Sequence, residues 1–109
     1  MQNEGIDYSN DEMFDVVSIL DGKVISITND EIYGNTIKIN HSNGIVSVYQ
    51  FLSQIDIKQD DVIKKGTIIG KSGTSKIDND ENSYLHFELI INSINVNPDL
   101  YFNKSVKDI

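Results

Sequence analysis

Apolar and polar positions alternate with a period of two along most of this chain, in short runs separated by turn residues. Thr36-Ile37-Lys38-Ile39-Asn40 is the cleanest run, and Ser42-Asn43-Gly44 follows it as a hairpin turn of the Asn-Gly kind. Ile45 to Leu52 is the returning strand of that hairpin. Upstream, Gly5-Ile6-Asp7-Tyr8 opens with a short apolar–polar pattern and Ser9-Asn10-Asp11-Glu12 reads as a turn. Phe14, Val16, Val17, Ile19 and Leu20 form an apolar, mostly buried stretch that Asp21-Gly22 halts. Between Lys23 and Thr28, strict alternation puts Val24 and Ser26 on one face and Ile25 and Ile27 on the other. Downstream, Ile55-Asp56-Ile57, a turn and strand over Asp60 to Gly66, and a buried run from Thr67 to Gly70 lead into a polar loop, Gly73 to Ser83. Ile94 and Val96 make a last short strand that Pro98 ends, and Leu100-Tyr101-Phe102 is expected to pack as one helical turn. No amphipathic helix is visible, so the pattern predicts an all-β sandwich or open barrel.

The most strand-like run is Tyr84-Leu85-His86-Phe87-Glu88-Leu89-Ile90-Ile91. It puts Leu85, Phe87 and Leu89 on one face, with Tyr84, His86, Glu88 and Ile90 on the other. A histidine and a carboxylate on one strand face, beside a tyrosine, is how a pleated sheet presents reactive groups on a rigid floor. The second histidine, His41, adjoins a hairpin turn and is expected at the surface.

Composition narrows the picture. The chain has 109 residues, enough for one domain with one core. Val and Ile dominate the apolar set and Ala is absent, which favours strands. A net charge of −8 repels phosphate backbones and argues against nucleic acid as a partner. With no cysteine, disulfides, thiol catalysis and cysteine-ligated zinc are excluded. The residues after Met1 are too few and too polar for a signal peptide, and no run approaches the length of a membrane span. Any membrane anchor is expected outside this chain.

Several signals in order along the chain resemble the LytM-type domains of the M23 metallopeptidases. Gly5-Ile6-Asp7 resembles the end of that family's His-x-Gly-x-Asp motif, and Tyr49-Gln50-Phe51-Leu52 its Tyr-x-His-Leu. Tyr84-Leu85-His86-Phe87-Glu88 resembles its His-x-His-Phe-Glu, Val96-Asn97-Pro98 its closing strand, and Ile55 to Gly73 a β-hammerhead hairpin. The resemblance implies an antiparallel LytM-like sandwich or open barrel spanning residues 1–109 as a single domain. It also implies zinc-ligand positions at Asn3, Asp7 and His86, and catalytic positions at Phe51 and Tyr84. Two of three ligands are kept and neither catalytic histidine is.

That loss has a chemical meaning. A catalytic zinc takes three protein ligands plus water, and a neutral asparagine amide is a poor donor to it. Phe51 cannot transfer a proton or stabilise an oxyanion, and Tyr84 is a poor base near neutral pH. The expected reading is a catalytically dead domain with no bound zinc. His86 is then a satisfied core or groove histidine, hydrogen-bonded to Asp7 or to backbone, and Phe51 fills the volume a histidine would have left.

Asp15-Val16-Val17, Gly22-Lys23-Val24 and Val48-Tyr49-Gln50-Phe51-Leu52-Ser53 further resemble one sporulation branch of the family, the stage II sporulation Q proteins of endospore-forming bacteria. That resemblance implies a single-pass forespore-membrane protein with this domain in the intermembrane space. Its expected partner is a stage III sporulation protein AH-like domain, docked in a channel-like complex needed for engulfment and forespore development. A zinc-dependent peptidoglycan endopeptidase and a non-cleaving peptidoglycan binder are the alternatives.

Overall fold

The computed structural model describes residues 5–10, 12–73 and 83–98. Nine strands run in chain order: β1 (Ile6–Asn10), β2 (Asp15–Val17), β3 (Gly22–Asp30), β4 (Gly34–Asn40), β5 (Ile45–Ile55), β6 (Val62–Ile63), β7 (Ile68–Ser72), β8 (Ser83–Ile91) and β9 (Ile94–Val96). No helix occurs among the described residues. All pairings are antiparallel, in the order β1-β8-β5-β4-β3-β6, with β9 also on β8 and β7 bridging β5 to β2. The sheet is open, as the period-two pattern and the family resemblance predict.

β5 is the strand that makes this topology possible. Its first half, Ile45 to Gln50, pairs with β8, whereas Leu52, Gln54 and Ile55 pair with β7. The change of neighbour falls at Phe51, whose φ of 66° lies in the left-handed region that bulky side chains rarely adopt. A strand that bends there serves two neighbours in succession, and register shifts in both flanking ladders mark the bend.

The core lies on one face. Val16, Val24, Ile37, Ile39, Tyr49, Leu52, Ile63, Ile69, Leu85, Phe87 and Leu89 form a single buried cluster. Leu85, Phe87 and Leu89 take the inward positions that alternation assigns them. The β3 assignment needs correction. A bulge between Val24 and Ser26 absorbs one residue, so Val24 is buried and Ile27 packs on the core while Ile25 faces outward. In the stretch before it, only Val16 and Ser18 are fully buried, and Val17 is exposed opposite the exposed Ile68. The Asn43-Gly44 turn follows its sequence signal, Asn92-Ser93 turns between β8 and β9, and the Asp30 carboxyl caps the turn between β3 and β4. Most of the Gly73–Ser83 loop and the Leu100–Phe102 segment lie outside the described residues.

Candidate functional site

β8 is held between β1 and β5, and the registers place Asp7, His86 and Gln50 in one row across three strands. Two residues along β8, Glu88 lies on the same face as His86. The imidazole is bracketed by carboxylates: Nδ1 lies 2.6 Å from Asp7 Oδ1 and Nε2 lies 3.0 Å from Glu88 Oε2. Serving both acceptors at once takes both ring N–H groups. Gly5 sits against the ring, where a Cβ would come within 2.6 Å of Nε2, so no larger residue fits without moving the histidine. Asp7 and His86, two of the sequence-predicted ligand positions, are therefore brought together. Asn3, the third, lies outside the described residues.

The two sequence-predicted catalytic positions also meet. The Phe51 ring is 5.2 Å from Tyr84 and 6.3 Å from His86, centroid to centroid, with both aromatic side chains buried. A third aromatic that sequence reasoning missed, Tyr33, lies 6.2 Å from Phe51. It comes from the β3–β4 turn, where Asp30 Oδ1 accepts from the N–H groups of Ile32 (2.6 Å) and Tyr33 (3.0 Å). Those two hydrogen bonds hold the exposed Asp30 carboxyl below its usual range. The Tyr33 carbonyl then accepts from Phe51 N–H at 2.8 Å, and the Asn35 amide donates to Leu52 O at 2.9 Å. These bonds stabilise the positive φ of Phe51 from outside its own strand. The Asp30-x-x-Tyr33-Gly34 spacing was the available signal, since an Asx turn followed by glycine fixes where the tyrosine lands.

Zinc is the metal that the family resemblance implies, and the donors present decide whether it fits. His86 and Asp7 are in direct hydrogen-bond contact, closer than two ligands flanking a cation, and the other nitrogen is held by Glu88. Among the described residues no three potential ligands are grouped to hold an ion. Aromatic carbon occupies the space beside the imidazole. These described donors do not fit a catalytic zinc, which needs three converging ligands and an open position for water.

His41 differs from expectation. It is buried, not at the surface, with Nδ1 2.9 Å from the Asp21 carbonyl and Nε2 2.6 Å from Ser47 Oγ. The bend over Ile19 to Asp21 that leads into β3 is the cause: it brings the Asp21 carbonyl to the ring, and a Cβ on Gly22 would strike His41 Nδ1 at 2.7 Å. Burial pushes the His41 imidazole below its usual value of 6.5, against the raising influence of the Asp21 and Leu20 carbonyls and the Asp21 charge. The Tyr49 hydroxyl accepts from Ile19 N–H at 3.2 Å, and burial pushes it above its usual value. A shallow cavity of about 310 Å³ opens beside it, lined by Leu20, Asp21, His41, Asn43, Ile45 and Lys65.

Comparison with known proteins places this geometry. The profile of peptidase family M23 matches residues 1–98. Stage II sporulation protein Q of Bacillus subtilis strain 168 is 32% identical over 98% of the chain, and the chain spans 38% of that protein's length. A crystal structure of a SpoIIIAH and SpoIIQ complex contains a chain that superposes with a TM-score of 0.83 at 34% identity, over 91% of this chain and 70% of that one. The catalytic domain of the antimicrobial peptidase lysostaphin from Staphylococcus simulans superposes at 0.80 with 28% identity, over 94% and 80% of the two chains.

Proposed function

The chain belongs to peptidase family M23, and from that premise we propose that it is a non-catalytic, LytM-type protein-binding module of a sporulation protein. One observation carries the reading: at the groove, the position expected for a catalytic histidine is Phe51, packed against Tyr84 and Tyr33 beside an imidazole already engaged at both nitrogens. Peptide hydrolysis on this fold would need an activated water, a proton carrier and stabilisation of the oxyanion. Phe51 supplies none of these, and Tyr84 at most a hydrogen bond. The neutral amide at Asn3 would add a weak third donor to Asp7 and His86. Zinc is therefore no part of the proposed function.

The proposed partner is a stage III sporulation protein AH-like domain. The likeness to stage II sporulation protein Q over 98% of the chain, and to the chain in the SpoIIIAH and SpoIIQ complex, supports it. On the same likeness the domain would stand in the space between forespore and mother cell, carried by a single-pass forespore-membrane protein. There it would join the two membranes through a channel-like assembly needed for engulfment and forespore development. Among the described residues no helix is long and apolar enough to cross a membrane.

Calorimetry of the purified domain with the stage III AH domain tests the reading directly. Saturable heat and co-elution on gel filtration at tens of micromolar are expected; their absence overturns it. Metal analysis of the same sample is expected to show far less than one zinc per chain, and incubation with purified cell wall to release no fragments. Stoichiometric zinc with wall lysis would establish an endopeptidase instead. Retention on wall without lysis, and without partner binding, would establish a peptidoglycan binder.

A further inference from the structure

We infer that the unpaired outer edge of β3, from Ser26 to Asp30, is where this domain docks an extended segment of a basic partner protein. The inference rests on the binding-module reading above and locates its interface. β3 pairs with β4 along its whole length, but on its other side β6 covers only Gly22 and Lys23. Val24 is then tied to Asp60 and Asp61 by backbone hydrogen bonds of 2.9 Å. From Ser26 onward no strand among the described residues pairs with that side. Five residues of open edge extend roughly 17 Å at about 3.4 Å each. Alternate N–H and C=O groups of such an edge point outward, and the shape that satisfies them is another strand.

Two further observations mark this edge. Proteins usually guard a free edge with charge, proline, a bulge or a covering element; the β3 bulge falls before this edge begins, and Ser26-Ile27-Thr28-Asn29 carries neither charge nor proline. Exposed aliphatic and aromatic side chains also flank it at both ends. Val62, 77% exposed, and Ile25 stand at one end, and Ile32 and Tyr33 at the other. β1, the strand at the opposite end of the sheet, carries one such residue, Tyr8. An incoming strand would thus gain backbone hydrogen bonds in the middle and apolar contacts at its two ends.

Charge decides which strand. Asp30 and Glu31 lie at one end of the edge and Asp60 and Asp61 at the other, while Lys23 and Lys38 offset part of this locally. The chain as a whole carries −8. Edge-to-edge pairing of two copies would bring two such charges together, which long-range repulsion opposes. A cationic segment with apolar residues near its ends is the complementary occupant.

The test uses the whole domain with the stage III AH domain as probe. Amides of Ile25 to Asp30 are expected to exchange about tenfold more slowly in the complex than alone. Thr28→Lys, which puts a charge on the open edge, and the double variant Val62→Ser with Ile32→Ser are each expected to weaken binding about tenfold. Ser9→Lys on β1 should bind as the parent does. Circular dichroism checks that each variant is folded, and the surface pair keeps the test valid if Thr28→Lys is not. If the parent domain binds but the edge variants bind equally well and β3 gains no protection, the edge assignment is wrong while the binding-module reading stands. If the parent fails to bind, both fall. Dimerisation of the domain alone that Thr28→Lys abolishes would assign the edge to a second copy and overturn the basic-partner inference.

Discussion

The two histidines of this domain are equally buried, each 8% exposed, yet they sit in opposite chemical settings. His86 is bracketed by two carboxylates, one of them half exposed, beside the Phe51 ring. His41 is held by a backbone carbonyl and a serine hydroxyl inside the hairpin packing. The first looks like chemistry and the second like structure. Which partners surround an imidazole, rather than how deeply it is buried, tells the two apart. Partial solvent access lets Asp7 relax toward water if the ring is removed, whereas Ser47 is wholly enclosed and has no such option.

That contrast can be broken by measurement. The largest effect is expected from His41→Ala, which leaves the enclosed Ser47 hydroxyl short of a partner and opens a cavity. Urea unfolding should show a loss of about 3 kcal/mol. Phe51→Ala comes next, at about 2 kcal/mol. It removes the ring between Tyr33, Tyr84 and His86 but leaves the positive φ strained, since alanine keeps the Cβ; Phe51 stands outside the main core cluster, so the loss should fall short of an ordinary core phenylalanine. His86→Ala should cost about 1 kcal/mol in the same assay and leave partner binding unchanged. A loss at His86 equal to that at His41 would refute the distinction drawn between them.

The smallest effect is in pH. Because burial lowers the His41 pKa in the folded state, the unfolded chain binds a proton more readily, and stability is complete only above the usual value of 6.5. It then declines as pH falls below that value toward the lower folded pKa. Melting temperature should therefore drop modestly between pH 7 and 5, and His41→Gln should flatten that part of the curve. An unchanged slope in that variant would assign the dependence to other groups.

The fold was legible because alternation and turn chemistry act locally. The Asn43-Gly44 and Asn92-Ser93 turns and the inward face of β8 follow from residue type and period alone. The β3 assignment failed after Val24 for an equally physical reason, since one bulged residue reverses every face beyond it and leaves no mark in composition. His41 was misplaced because its partners, Asp21 and Ser47, stand 20 and 6 residues away and meet only when β3, β4 and β5 are paired.

The sequence by itself determined an all-β chain of family M23 and the strand that carries His86. Those are properties of residue identity and order. Only the tertiary structure decided that both nitrogens of His86 are engaged, that Tyr33 closes on Phe51, and that no strand among the described residues pairs with the outer side of β3 beyond Ser26. Each of those depends on strand register and on a bend at one residue of β5, and register is settled by the packing of the whole sheet.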